Sequence, residues 1–408
     1  MTFISQKANK ISPSLTLALT AKAAKLKAEG KDIVSFTAGE PDFNTPDFIV
    51  EAAKKAMDLG HTRYTATSGI MPLKQAICDT IKKDKIIDYS PNQIVVSNGA
   101  KHSLFNALSA ILNEGDEVII LSPYWLTYPE VVSFCGGVNK IIDLNSAKDF
   151  KLTKDILIKA ITKKTKAIIL NNPSNPSGIV YTKDELKALC SVIEKAGIYL
   201  ISDEIYSKLI YDNLAFYSPA SFSDKLKDKT IIIDGLSKAY AMTGWRIGYT
   251  ASNSDLAAAM VNIQSHTTSN ANSIAQYASV EALTNKKSDS FLSELNTTFK
   301  ERRDYICKLL DEIDDIKYIR PSGAFYVMVD ISSFFNKTLH GTKINTAAEF
   351  SDLLVDKVGV VTIPLESFGA KNYIRLSYCL SDDGICEGIK RLKQFVMHNA
   401  QCTMHNEC

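Results

Sequence analysis

What the 408-residue chain lacks narrows its function before anything it contains. No G-x-G triplet occurs, so the dinucleotide-binding turn of nicotinamide and flavin enzymes is missing, and there is no G-x-x-x-x-G-K-[ST] cradle for a nucleoside triphosphate. G-x-S-x-G and H-E-x-x-H are absent too, which removes the common serine hydrolases and zinc proteases. Charge of one sign is scarce: 47 basic against 45 acidic side chains leave a formal net charge of +2, with the lysines dispersed, and predict neither a nucleic-acid nor a membrane partner. No apolar run approaches the ~20 residues of a transmembrane helix. The short apolar stretch 15–19 contains Thr16 and runs into lysines, unlike a secretory signal. The eight cysteines form no C-x-x-C pair, as expected of reduced thiols in a cytoplasmic protein. His398, Cys402, His405 and Cys408 in the tail have zinc-ligand chemistry, but chain termini are more often unstructured than metal-bound, and no metal is expected.

What is present reads as an α/β chain of two domains. A helix over 14–29 is stopped by Gly30, IVSF at 33–36 is a strand, and Thr45 and Pro46 supply an N-cap and first-turn proline for a helix ending near Gly60. From 93 onward apolar strands and amphipathic helices alternate: IVVS then HSLFNALSAIL, EVIIL then a helix after Trp125, AIIL then DELKALCSVIEKAG, then IYLI and later IIID. That order predicts a large domain with a mainly parallel sheet covered by helices. A charged helical stretch over 288–313, followed by strands around Phe325 and Ile374, predicts a smaller α+β domain formed by the N- and C-terminal segments. The expected boundaries are 1–45 for a segment packing with the small domain, 46–290 for the large domain, 291–396 for the small one and 397–408 for an unstructured tail.

Three strand ends carry polar chemistry. SKAYAMTGWRIGY, residues 237–249, follows IIID and places Lys238 just past a strand's C-terminal end, where open α/β sheets hold ligands, with Arg246 eight residues on. A lysine withdrawn from water there has a lowered pKa and can form a Schiff base, and the arginine can fork onto a phosphate. NNPSNPSG at 171–178 ends AIIL, and SDEIY at 202–206 ends IYLI. Asp203 could pair with a protonated pyridine nitrogen and Tyr206 could bond a phenolic oxygen, the two ends of pyridoxal phosphate. Singly, each residue has a commoner use: Lys238 as a surface lysine, Asp203 as a helix cap, Asn175 as a turn residue beside Pro176. Their conjunction favours the cofactor.

Further segments occur in order: Pro13-Ser14-x-Thr16-Leu17, AGEPDF at 38–43, Tyr64 in RYTATSGIMPL, NGAK at 98–101, Pro123-Tyr124-Trp125, Gln264-Ser265 with Thr268-Ser269-Asn270, PSGAFY at 321–326 and RLSY at 375–378. With them the chain resembles the class I pyridoxal-phosphate-dependent aminotransferases of fold type I, prokaryotic-type aspartate aminotransferases above all, over about 12–380. The resemblance implies that Arg246, Ser237 and the Gly99-Ala100 amides hold the cofactor phosphate, joined by Tyr64 of a neighbouring subunit in a homodimer with shared active sites. It implies that Trp125 stacks on the ring, that Asp203 keeps the ring nitrogen protonated, and that Tyr206 and Asn175 bond the phenolic oxygen. Lys238 then holds the cofactor and moves the substrate's Cα proton. Arg375 would clamp the α-carboxylate with Gly39 close by, Trp125 and Asn175 would also touch substrate, and Ser14, Thr16 and Lys101 would read the distal carboxylate. The implied activity is ping-pong transfer of an amino group from an L-amino acid, aspartate foremost, to a 2-oxo acid such as 2-oxoglutarate.

Alternatives are an aromatic or prephenate specificity, a fold type I β-lyase, and a non-enzymatic pyridoxal-phosphate-binding regulator; the last needs a nucleic-acid-binding domain for which the N-terminal segment leaves no room. One departure stands out. The family usually has Pro-Gly before Phe-Gly in a C-terminal loop, whereas here the sequence is Pro364-Leu365-Glu366-Ser367-Phe368-Gly369. A left-handed backbone at Leu365 would cost roughly 1–2 kcal/mol or force a different loop. Glu366 adds an acid near the substrate-binding domain.

Overall fold

The structure, a computed structural model, describes residues 3–403 and, Gln6 apart, their side chains as far as Met397. Its centre is a seven-stranded sheet in the order Ile94–Asn98, Ile247–Ala251, Thr230–Gly235, Tyr199–Asp203, Thr165–Asn171, Glu117–Ser122, Val138–Asp143. Ile247–Ala251 runs antiparallel to both its neighbours and the other pairings are parallel. Only a short loop separates it from Thr230–Gly235, and a parallel return needs a crossover of a dozen or more residues. That loop, 236–246, carries Lys238 and Arg246.

Alternate residues of the parallel strands feed two separate cores. Ile119, Ile168 and Leu200 pack with the helix Lys183–Ala196 on one face, while Val118, Ile120, Ile169 and Ile201 pack with the helix Ala100–Ile111 on the other. Burial of both faces explains why these strands read as continuous apolar runs. Thr182 and Glu185 close a capping box at the start of Lys183–Ala196, and Gly197 ends it in the left-handed region. Val138–Asp143 escaped the sequence reading because it is a half-exposed edge strand with Lys140 in its middle.

The C-terminal part holds a four-stranded antiparallel sheet, Ile363–Pro364, Tyr373–Ser377, Tyr326–Asp330, Lys317–Ile319, against the helices Lys287–Leu310 and Asp382–Thr403. Val34–Ser35 pairs in parallel with Val360–Val361, so the N-terminal segment joins this part across most of the chain. The helix Leu15–Ala28 starts at Ser14, whose hydroxyl accepts from the Leu17 amide, as its pattern required. Thr45 does not cap the helix Asp47–Asp58. Pro46 takes the cap position, and the Thr45 hydroxyl donates to the Ala241 carbonyl at 2.6 Å and accepts from the Trp245 indole at 2.9 Å. Loop 236–246 has recruited it.

Leu365 lies at φ −103°, outside the left-handed region, and is fully buried; Gly369 supplies the left-handed turn at φ +83°. The substitution therefore carries no backbone strain. Glu366 accepts from the Ala348 amide at 2.8 Å, at the start of the helix Ala347–Val358, and does not line the cavity described below. The helix Asp382–Thr403 carries the backbone into the expected tail, whereas the side chains of His398, Cys402, His405 and Cys408 lie outside the described residues. Among the described residues no helix is long and apolar enough to cross a membrane.

Candidate active site

A cavity of about 320 Å³ opens at the C-terminal ends of the parallel strands. Asn171 and Asp203 are partners in register at those ends, and Lys238 enters from the following loop. Gly39, Ala100, Trp125, Asn175, Tyr206, Ser237, Arg246 and Arg375 share the lining, as do Ser14, Thr16 and Lys101. Gly99 is not part of the lining; it lies behind the Arg246 guanidinium, which a Cβ at Gly99 would strike. Tyr64 is outside the cavity and 91% exposed.

The Lys238 ammonium donates to the Gly39 carbonyl and lies 5.9 Å from the Phe325 ring. Burial depresses its pKa to about 8, which brings its neutral form closer to reach at neutral pH than that of an exposed lysine. Asp203 behaves in the opposite sense: burial raises its carboxyl to about 6, against hydrogen bonds from the Tyr128 hydroxyl at 2.6 Å and the Ile205 amide at 3.3 Å. Tyr206 is buried, its hydroxyl 3.0 Å from that of Tyr326. Arg246 has φ +56°, an uncommon conformation for a side-chain-bearing residue, and donates to the carbonyls of Thr243 at 2.9 Å and Asn98 at 3.4 Å. Its guanidinium thus lies beside the first amides of the helix Ala100–Ile111, which lack intrahelical partners and favour an anion. Lys101 lies 5.0 Å from the Trp125 ring, and burial, then Arg246, lower its pKa.

Arg375 is 2% exposed. It donates to the Asn175 side-chain oxygen at 3.0 Å and the Thr37 carbonyl at 3.3 Å, and stacks 4.2 Å over the Tyr326 ring. Its Nε is buried without a hydrogen-bond partner, and among the described residues no acidic side chain forms an ion pair with it. The other buried arginine, Arg303, is by contrast clamped on both nitrogens by Asp212 at 2.7 Å. A buried guanidinium without a counter-ion is costly, and a substrate carboxylate would relieve that cost.

Sequence reading missed two contributors. Tyr128 reaches Asp203 from the helix Thr127–Phe134, and nothing in PYWLTYP announces where that hydroxyl points. Tyr326 belongs to the PSGAFY motif, yet its link between Tyr206 and Arg375 arises only when the small sheet docks over the strand ends.

The lining suits pyridoxal phosphate. Lys101, Lys238, Arg246 and Arg375 face one acid, Asp203, an excess of positive charge that matches a phosphate dianion together with a carboxylate. The phosphate would rest against Arg246, Ser237 and the helix start, the aldehyde would meet Lys238, and the ring nitrogen would meet Asp203.

Comparison with known proteins agrees. The family model for aminotransferase class I and II matches residues 31–392. An aspartate aminotransferase of Bacillus sp. (strain YM-2) is 45% identical over 386 residues, covering 95% of this chain and 97% of the relative. A probable aspartate/prephenate aminotransferase of Aquifex aeolicus is 42% identical over 391 residues, 96% of this chain and 98% of the relative. The solved structure of the Thermus thermophilus aspartate aminotransferase with maleate superposes with a TM-score of 0.91 at 37% identity, covering 97% of this chain and 100% of that one.

Proposed function

The chain belongs to the class I and II aminotransferases, which depend on pyridoxal phosphate, and from that premise we propose that it moves the amino group of aspartate to 2-oxoglutarate. The observation that carries this reading is the pair of cations left over in the cavity once a phosphate and an aldehyde are provided for: Arg375 and Lys101. Two cations suit a substrate with two carboxylates. The relatives' names favour transamination over the lyase reading, and the Thermus thermophilus relative was solved with maleate.

In this reading the cofactor, when bound, supplies an electron sink for the pair left as the amino acid's Cα–H bond breaks. Arg375 clamps the α-carboxylate and, with Asn175 and Gly39, fixes the orientation of that bond. Asp203 holds the proton on the ring nitrogen, oriented by Tyr128. Tyr206 and Asn175 bond the phenolic oxygen, and Trp125 covers the ring. Lys238, freed from its resting role, would take the Cα proton and hand it to the carbon that carried the cofactor's aldehyde. Arg246 and Ser237 keep the phosphate fixed, with Gly99 and Ala100 at the helix start. Ser14, Thr16 and Lys101 receive the distal carboxylate.

We also propose a homodimer in which Tyr64 completes the partner's phosphate site. Tyr64 is almost fully exposed, and Met57, Leu59 and Met71 nearby in sequence expose large apolar side chains. The six described cysteines are unpaired and four of them are buried, which suits a cytoplasmic setting. Segments 1–45 and 291–396 are proposed to form one unit beside the cofactor-bearing part 46–290, a division supported by the Val34–Ser35 pairing with Val360–Val361.

Lys101→Ala tests the substrate class. Loss of a charge-assisted contact of about 1.5–3 kcal/mol lowers kcat/KM for aspartate by roughly 10- to 100-fold, and phenylalanine loses little. Equal losses for both donors would remove Lys101 from substrate recognition.

A further inference from the structure

The loop 236–246 contains two residues in an uncommon backbone conformation that the steps above leave without a cause. Ala241 has φ +50° and Arg246 has φ +56°, whereas Gly244, which lies between them, is not at positive φ. Side-chain-bearing residues persist in that region only where their surroundings hold them there. Support from within the loop is slight: the amides of Tyr240, Met242 and Trp245 donate to the carbonyls of Leu236, Ser237 and Met242 at 3.1, 3.2 and 3.3 Å.

The remaining support comes from the segment 40–45, far earlier in the chain. The Thr45 hydroxyl donates to the Ala241 carbonyl at 2.6 Å and accepts from the Trp245 indole at 2.9 Å, so one side chain grips the loop at its first left-handed residue and beside its second. At the other end of the segment, Glu40 accepts from the Thr243 hydroxyl, and the Thr243 carbonyl in turn accepts from Arg246 at 2.9 Å. Thr45 is half-buried and does not line the active cavity. A threonine just before a helix ordinarily caps it, yet the helix Asp47–Asp58 has no side-chain cap bond. The hydroxyl serves the loop instead of the helix.

We propose that Thr45 is a positioning residue for the cofactor phosphate: by fixing Ala241 and Trp245 it holds Arg246 in its left-handed conformation, with the guanidinium beside the first amides of the helix Ala100–Ile111, before any ligand arrives. The inference rests on the reading that Arg246 binds that phosphate. Without the hydroxyl, the two left-handed residues relax in the empty protein, and phosphate binding must restore them, which lowers affinity. The effect falls on the phosphate and spares the ring, because Asp203, Tyr206 and Trp125 reach the cavity from other segments.

The test takes full-length protein stripped of cofactor and measures the dissociation constants of pyridoxal phosphate and of pyridoxal, which has the ring and aldehyde without the phosphate. Their ratio is the factor by which the phosphate tightens binding. Thr45→Val keeps the shape and removes the hydroxyl, and is expected to lower that factor about tenfold. Thr45→Ser restores the hydroxyl and is expected to match the parent. In an Arg246→Ala background, Thr45→Val is expected to lower the factor no further. Trp245→Phe breaks the same contact from the loop's side, is expected to lower the factor about threefold, and decides the question by itself if Thr45→Val does not fold. An unchanged factor in these variants, a Thr45→Ser as weak as Thr45→Val, or the same fall with and without Arg246 overturns the inference. Arg246→Ala separates the two levels: if it leaves the factor in place, the reading of Arg246 itself fails, whereas a fall there with none in Thr45→Val defeats only the role of Thr45.

Discussion

Replacing Tyr128 by phenylalanine removes one hydroxyl and leaves the packing of a buried ring, so its effect isolates the hydrogen bond to Asp203. That carboxyl is already raised by burial from 3.8 to about 6, which means the folded protein prefers it protonated. The sign follows directly: the associated stability is fully present below pH 3.8 and is lost as pH rises through 6, a cost of about 3 kcal/mol above that point. Tyr128 donates at 2.6 Å to the ionised form and holds this cost down. A hydrogen bond to a charged group contributes about 1.5–3 kcal/mol, so its loss moves the Asp203 midpoint up by about one to two pH units. Urea unfolding of cofactor-free protein across the pH range reads the effect. The difference in stability between parent and variant should be near zero at low pH, open through pH 6 and level off higher. Asp203→Asn, with no charge to lose, should abolish that pH-dependent difference when it is introduced both alone and together with Tyr128→Phe. A constant difference at every pH would mean that Tyr128 contributes packing alone and that its hydroxyl does not act on the carboxylate.

Lys238→Ala should keep the fold, release pyridoxal phosphate on dialysis, and lose exchange of the substrate Cα proton with solvent; continued exchange would assign the proton transfer elsewhere. Tyr326→Phe loses a hydroxyl bond to Tyr206 of about 1 kcal/mol and should lower kcat about fivefold with KM little changed. Tyr326→Leu also removes the ring beneath Arg375, a contact of roughly 0.5–2 kcal/mol, and should raise KM for amino acids. A Leu variant with unaltered KM would show that the stacking does not support the clamp. Subunits carrying Tyr64→Phe and subunits carrying Lys238→Ala, refolded together, should regain one complete site per heterodimer with parent-like cofactor affinity; no gain over the separate variants would end the shared-site arrangement.

Most of the order of strands and helices from residue 93 onward was legible because the inner strands of the large sheet are buried on both faces, unlike the edge strand Val138–Asp143, and each covering helix carries one apolar stripe. The chemistry of the strand ends was legible for a related reason: a lysine, an aspartate and an asparagine after apolar runs have few places to be except the edge where such sheets bind ligands. Other features had no local signal. Whether Leu365 was strained depended on which residue of the loop turned left-handed, and Gly369 does so. Thr45 met the requirements of an N-cap, but Ala241 and Trp245, about two hundred residues away, claimed its hydroxyl. The lack of an acidic partner for Arg375 among the described residues, the reach of Tyr128 to Asp203 and the junction at Tyr326 all depend on segments distant in the chain. Periodicity and motif spacing report what a residue does to its own neighbourhood. Which charges stay paired and which wait for a ligand is decided only when the sheets and helices pack, because only then does removal from water fix the cost of each unpaired group.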